Sequence, residues 1–127
     1  MFSSFPRTPG FAGGKADYRF TFIGPLEIGQ DGLIPVEVKR EAVVVDEINA
    51  YIHPDEPTPI GRNIIAAVYL NGVEIDRITI LEGTREGSVV LSSNIAIEAN
   101  DQVTAKILQV GSAVRGGTLT VYLRITA

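Results

Sequence analysis

The chain has 127 residues, no cysteine and a net charge of −4, with 45% hydrophobic and 20% charged residues. These proportions are typical of one folded globular domain and exclude a disordered chain, a disulfide framework and a thiolate metal site. The negative balance argues against a nucleic acid as partner, and no apolar run approaches the roughly 18 residues of a membrane span, so no membrane partner is expected.

The first sixteen residues, MFSSFPRTPGFAGGKA, differ from the rest of the chain. Their prolines and glycines oppose helix and central strand, which predicts an extended N-terminal arm over residues 1–16. An unstructured terminus is the alternative, because chain ends are often disordered. Disordered segments are poor in aromatic residues, however, and this one carries three of the five phenylalanines. We therefore expect an attachment arm that contacts a partner through Phe2, Phe5, Pro6, Arg7 and Phe11.

From residue 17 onward, apolar and polar residues alternate, which is the pattern of strands with one buried face. The predicted strands lie at 18–23, 33–40, 42–52, 64–70, 73–81, 88–91, 94–98, 102–110 and 118–126. The expected inward residues of three of them are Tyr18, Phe20 and Phe22; Val103, Ala105 and Ile107; and Leu119, Val121, Leu123 and Ile125. No segment has a sustained helical period. We predict an all-β fold, an antiparallel, jelly-roll-like β-sandwich of about eight short strands over residues 17–127.

The strongest turn signal is Asn71-Gly72 in YLNGVEI. This dipeptide supplies the two positive φ angles of a type I′ turn, which predicts a two-residue hairpin between the flanking strands. The apolar residues of the second strand change parity at Asp76-Arg77, which predicts either a bulge there or a strand that changes the face it buries. Glycine-rich loops follow, and Gly111 is expected to be a structural turn residue in one of them.

The only histidine, His53, lies close to Asp55 and Glu56 in AYIHPDEPTPIG. Structural zinc needs four ligands and catalytic zinc usually three, which one histidine without cysteine does not supply. Calcium accepts oxygen ligands, and Asp55, Glu56, Asn100 and Asp101 all lie in predicted loops, but the EF-hand spacing is absent. We interpret the segment as a solvated loop between strands that turns at Gly61, and we expect no metal and no cofactor.

The sequence also contains few of the residue combinations that catalytic sites require. A Ser-His-Asp triad would have to use His53, and no nucleophile-elbow sequence accompanies it. Phosphate-binding and dinucleotide-binding loops are absent from the sequence. A glycosidase needs two carboxylates, but the acidic residues stand singly on strands and turns, where they are ordinarily solvated. We therefore predict that the protein is not an enzyme.

A sugar-binding site is harder to set aside, because small β-sandwiches often bind sugars on exposed aromatic side chains. The chain has no tryptophan, so the candidates are Tyr18, Tyr51, Tyr69 and Tyr122. Each lies in a strand with apolar neighbours, which makes a buried or half-buried role the default.

A series of turns and strands follows in the second half of the chain: EPTPIG at 56–61, VYLNG at 68–72, ITILEG at 78–83, ANDQVTAKILQVGS at 99–112 and GGTLTVYL at 116–123. This series resembles a family of small β-sandwich domains of tailed bacteriophages. Such domains occur in tail fibres, receptor-binding proteins and capsid-attached accessory proteins. The shared pattern contains no catalytic signature.

The resemblance implies a non-enzymatic virion structural protein. A single domain that follows a short aromatic N-terminal arm is most similar to a capsid decoration, or cement, protein. The implied partners are the major capsid protein or another virion protein, and further copies of the chain, as a homotrimer. The alternative is a tail-fibre or receptor-binding module that recognises a host surface glycan. Both place the protein on the surface of the virion, after a soluble stage in the host cytoplasm.

Overall fold

The structure, a computed structural model, describes residues 18–32, 42–98 and 100–126. Its strands are β1 (Tyr18–Phe22), β2 (Val43–Ile52), β3 (Ile64–Leu70), β4 (Val73–Ile80), β5 (Glu86–Ile97), β6 (Val103–Gln109) and β7 (Leu119–Ile125). The described residues form no helix, and so none that could cross a membrane. The all-β prediction is confirmed. The predicted arm at 1–16 and the predicted strand at 33–40 lie outside the described residues.

The strands pair like the two arms of one long hairpin that has been rolled up. The first strand, β1, pairs with the last, β7; β2 pairs with β5; and β3 pairs with β4, each time antiparallel. Between these nested pairs, an antiparallel bridge joins Asp31 to Lys106 of β6. The result is a four-stranded sheet, β1-β7-β2-β5, and a three-stranded sheet, β4-β3-β6. This nesting confirms the predicted jelly-roll-like sandwich.

The core lies between the two sheets and is made by the alternation that the sequence predicts. Phe20, Phe22, Ile107 and Val121, from three different strands of this alternation, are each exposed by no more than 1%. Each apolar side chain of this size contributes roughly 1.5–3 kcal/mol when it is removed from water. One continuous cluster of buried side chains joins both sheets, and the described residues contribute no buried polar or charged residue to it.

The fifth strand corrects the prediction of two separate strands at 88–91 and 94–98. The structure has one strand, whose pairing with β2 is interrupted where residues 91–94 stand opposite Asp46 alone. This is a large bulge, in which Leu91 is buried while the three polar residues after it are exposed. The bulge exposes the polar residues 92–94 to solvent. In the sequence, such a run of polar residues has the same pattern as a loop between two strands.

The β3–β4 hairpin is confirmed, because β3 ends at the residue before Asn71 and β4 begins directly after Gly72. The φ angles are 52° at Asn71 and 84° at Gly72, as a type I′ turn requires. The bulge also exists, but its extra residue is Ile75, between Glu74 and Asp76, one position before the predicted place. Beyond this bulge, the last isoleucines of β4 enter the core.

Candidate functional site

The histidine loop, residues 53–61, connects β2 to β3 and does not gather its polar side chains around one point. His53 and Asp55 are exposed, and the Nδ1 atom of His53 accepts a long hydrogen bond of 3.4 Å from the backbone N–H of Asp55. The carboxylate of Glu56 instead accepts hydrogen bonds from the backbone N–H of Thr118 (2.8 Å) and from the Thr118 hydroxyl (3.3 Å). Within the described part of the chain, no three His, Asp or Glu side chains are grouped as a metal would require.

Most residues of the loop are exposed, but Pro59 is buried, and the loop is hydrogen-bonded to its neighbours. One guanidinium nitrogen of Arg85 donates to the carbonyl oxygens of His53 (3.1 Å) and Glu56 (2.7 Å). The backbone N–H of Gly117 donates to the carbonyl oxygen of Pro57 at 2.9 Å. These bonds satisfy backbone carbonyl groups that a solvated loop would leave to water, so they hold the loop against its neighbours.

The predicted turn residues Gly61 and Gly111 meet where this loop crosses the loop before β7. Gly61 has a φ of 94°, and an isolated bridge joins Ile60 to Val114. A Cβ atom added to Gly111 would collide with the carbonyl oxygen of Val114 and would lie 2.9 Å from the backbone nitrogen of Ile60. The two loops can approach this closely only because position 111 has no side chain.

The Asn71 turn is joined to the loop between β5 and β6 by a closed set of hydrogen bonds. The Asn71 amide donates to Oδ1 of Asp101 (3.0 Å) and accepts from the backbone N–H of Gln102 (2.9 Å). The other carboxylate oxygen of Asp101 accepts from the backbone N–H of Glu98 at 2.8 Å. The bond from Asn71, and after it the bond from Glu98, lowers the pKa of Asp101 below its ordinary 3.8. Asp101, a candidate calcium ligand in the sequence, therefore uses one carboxylate oxygen to join the two loops and the other to close its own loop.

A third polar cluster surrounds the β5 bulge. Arg124 forms a two-pronged ion pair with Asp46, at 2.9 and 2.7 Å, and contacts the Glu47 carboxylate at 3.1 Å. The hydrogen bond from Arg124 lowers the pKa of Asp46. Asp46 is also unpaired in the ladder with β7, where Val45 pairs with Ile125 and Glu47 with Arg124, so the ion pair spans an irregularity between these two strands.

The tyrosines divide between the core and the surface. Tyr18 is buried, whereas Tyr69 is partly exposed on the three-stranded sheet. Tyr51 and Tyr122 are neighbours on the four-stranded sheet, where Tyr51 is 36% exposed. Their ring centres lie 6.4 Å apart with an angle of 67° between the planes, and the Arg19 guanidinium lies 5.4 Å from the centre of the Tyr122 ring. Tyr51 is the most exposed of the four tyrosines, but at 36% exposure it still has the half-buried role that the sequence predicts.

Beside these rings the outer surface of the sheet forms a shallow depression of about 190 Å³. Its side chains come from facing positions of three strands, since Tyr122 pairs with Asn49 and Tyr51 pairs with Glu86. We call the surface of Asn49, Tyr51, Glu86 and Tyr122 the tyrosine face. It presents an exposed ring together with an amide, two phenol hydroxyls and a carboxylate. The sequence offers Tyr51 and Tyr122 as two of four candidate tyrosines but does not indicate that they meet, because they are distant in the chain and stand in ordinary alternating strands.

The predicted partner-binding residues Phe2, Phe5, Pro6, Arg7 and Phe11 lie outside the described residues. No family model matches the chain, and no match is found among curated proteins or among solved structures.

Proposed function

We propose that this chain is a non-enzymatic structural protein of a tailed-bacteriophage virion, a capsid decoration protein held on the particle by residues 1–16. Its partner would be the major capsid protein or another virion protein. The proposal rests first on the series of turns and strands that resembles phage β-sandwich domains.

The observation that carries a structural role is the use of the loop carboxylates. Glu56 accepts from Thr118, Asp101 accepts from Asn71 and Glu98, and Glu82 accepts from the backbone N–H of Gly61 at 2.6 Å. Each of these acids fixes one loop to another at an end of the sandwich. A sandwich whose loops are hydrogen-bonded to one another suits a protein that projects from a larger assembly.

Attachment through the arm has an energetic consequence. Burial of two of the three phenylalanines supplies roughly 3–6 kcal/mol. Fixing the arm offsets much of this, at about 1–2 kcal/mol for each ordered residue. One arm alone therefore binds weakly, and stable decoration needs several arms acting together, as in the trimer that the resemblance implies. Proline reduces the cost because it narrows the ensemble of the unbound arm.

The test is co-sedimentation of the purified chain with capsids of the same phage. We expect the full chain to pellet with the capsids. The triple variant Phe2→Ala, Phe5→Ala, Phe11→Ala and a chain without residues 1–16 should both stay in the supernatant. The matched control is the triple variant Ser3→Ala, Ser4→Ala, Thr8→Ala, which changes three polar residues of the same arm and should still pellet. Full capsid occupancy by the truncated chain would refute the attachment role.

A further inference from the structure

We propose that Asn71 is a site of spontaneous deamidation, which the folded chain delays and whose product breaks the connection of the β3–β4 turn to the loop between β5 and β6. The proposal does not depend on the attachment role, because every residue that it uses belongs to the sandwich. It is based on the Asn71-Gly72 dipeptide, on the hydrogen bonds of the Asn71 amide and on the carboxylate of Asp101.

The dipeptide contains both reacting groups. The deprotonated backbone nitrogen of Gly72 attacks the side-chain amide carbon of Asn71, and a C–N bond forms that closes a five-membered imide. The bond from that carbon to Nδ2 breaks, and Nδ2 takes up the released proton and leaves as ammonia. Water then hydrolyses the imide. The reaction therefore needs no enzyme, no oxidant and no reactant other than water.

Sequence and exposure both select this asparagine. The attacking nitrogen is least hindered when its residue has no Cβ, and Asn71 is the only asparagine of the chain that precedes a glycine. Asn71 and Gly72 are both exposed, and a Cβ added to Gly72 would meet no atom within 4 Å. Water and the attacking nitrogen therefore meet no obstacle from neighbouring side chains at the turn.

The hydrogen bonds of Asn71 oppose the reaction in the folded chain. Its Nδ2 donates to Asp101 at 3.0 Å, its Oδ1 accepts from the backbone N–H of Gln102 at 2.9 Å, and its own backbone N–H donates to the Gln102 carbonyl oxygen at 2.7 Å. To reach the Gly72 nitrogen, the amide carbon must rotate, which breaks both bonds of the amide. The folded chain therefore reacts only after this connection opens locally.

The product cannot restore the connection. If water opens the imide at the side-chain carbonyl, an aspartate results, and a carboxylate then stands where the amide donated to Asp101 at 3.0 Å. Two carboxylates at that distance repel each other. If water opens the imide at the backbone carbonyl, an isoaspartate results, which adds one atom to the main chain of a two-residue turn. Either product separates the turn from the neighbouring loop.

The experiment is peptide mapping by mass spectrometry of the full chain kept at mildly alkaline pH, which favours the deprotonated nitrogen. Trypsin releases residues 63–77 as one peptide, in which Asn63 precedes an isoleucine and is the internal reference. We expect deamidation at Asn71 and not at Asn63, with both aspartate and isoaspartate as products. In the folded chain it should be slower than in urea by about tenfold or more, since hydrogen bonds must first break.

Variants of Asp101 test its protective role. Asp101→Ala removes the acceptor of the Asn71 amide and should accelerate deamidation of the folded chain by about tenfold. Asp101→Asn keeps an acceptor oxygen without the charge, so its effect should be smaller, and it serves as the test if Asp101→Ala does not fold. The matched control is Asn100→Ala, which changes the exposed neighbour of Asp101 and should leave the rate unchanged.

The variant Asn71→Asp encodes one product directly. A ¹³C NMR titration should give Asp101 a higher carboxyl midpoint in Asn71→Asp than in Asn71→Ala, because a second carboxylate adds repulsion to the loss of the amide. Equal rates in the folded chain and in urea, absence of isoaspartate, or Asp101 variants no faster than Asn100→Ala would overturn the proposal. So would an Asp101 midpoint in Asn71→Asp that is no higher than in Asn71→Ala.

Discussion

At Gly72 the cost of a side chain comes from the backbone alone. The residue has a φ of 84°, and an added Cβ would meet no atom within 4 Å. We expect Gly72→Val to lower the free energy of unfolding by about 1–2 kcal/mol, because a β-branched residue is strained in the left-handed region. Gly72→Asn, which tolerates this region, should cost less. Urea unfolding of both variants provides the measurement, and equal stability of Val and Asn at this position would contradict the assignment.

Asp101 provides a pH-dependent test of the Asn71 turn. Its folded pKa lies below the ordinary 3.8, so the stabilisation is present above pH 3.8 and is lost as the pH falls through the folded pKa. A ¹³C NMR titration should therefore give a carboxyl midpoint below 3.8 for Asp101. Asn71→Ala should raise that midpoint, because the amide that favours the charged form is gone.

The matched control for this titration is Asn100→Ala, which changes the exposed neighbour of Asp101 and should leave its midpoint in place. If Asn71→Ala has no more effect than Asn100→Ala, the hydrogen bond from Asn71 does not determine the pKa.

At the scale of the elements, the loop between β2 and β3 is attached to the start of β7 through Glu56. Glu56→Ala would leave the partly buried N–H of Thr118 without its acceptor, which should cost about 1–3 kcal/mol of stability. The adjacent exposed pair offers the control, since His53→Ala with Asp55→Ala should change stability by no more than about 0.5 kcal/mol. Thermal unfolding of the unmodified chain, of Glu56→Ala and of the double variant measures the two effects on stability. Equal effects would show that Glu56 is as dispensable as its neighbours.

At the scale of the whole molecule, the question is whether the sandwich needs its N-terminal arm. The buried cluster of the described residues is continuous across both sheets. We therefore expect deletion of residues 1–16 to shift the thermal midpoint by less than about 2 °C. Differential scanning calorimetry of the full and truncated chains gives the answer. A truncated chain that unfolds at a much lower temperature would mean that the arm's phenylalanines belong to the protein's own core.

The sequence by itself determined the fold class, the inward residues of most strands and the Asn71-Gly72 hairpin. These features are local. Side chains alternate between the two faces of any strand, so Phe20 and Phe22 had to share a face wherever β1 was placed. A positive φ at Gly72 likewise depends on that residue and its neighbours alone. The two predicted strands at 88–91 and 94–98 were wrong because a bulge exposes polar residues in the same way that a loop does.

Only the tertiary structure decided which strands are neighbours and, with them, the contents of each site. The hydrogen bonds of a β-ladder are made by the backbone, which is the same in every strand, so alternation does not specify the partner. Glu56 and Thr118 are 62 positions apart and meet because β7 lies beside β2. Tyr51 and Tyr122 meet for the same reason. The tyrosine face is therefore a product of the strand order, since its residues come from β2, β5 and β7.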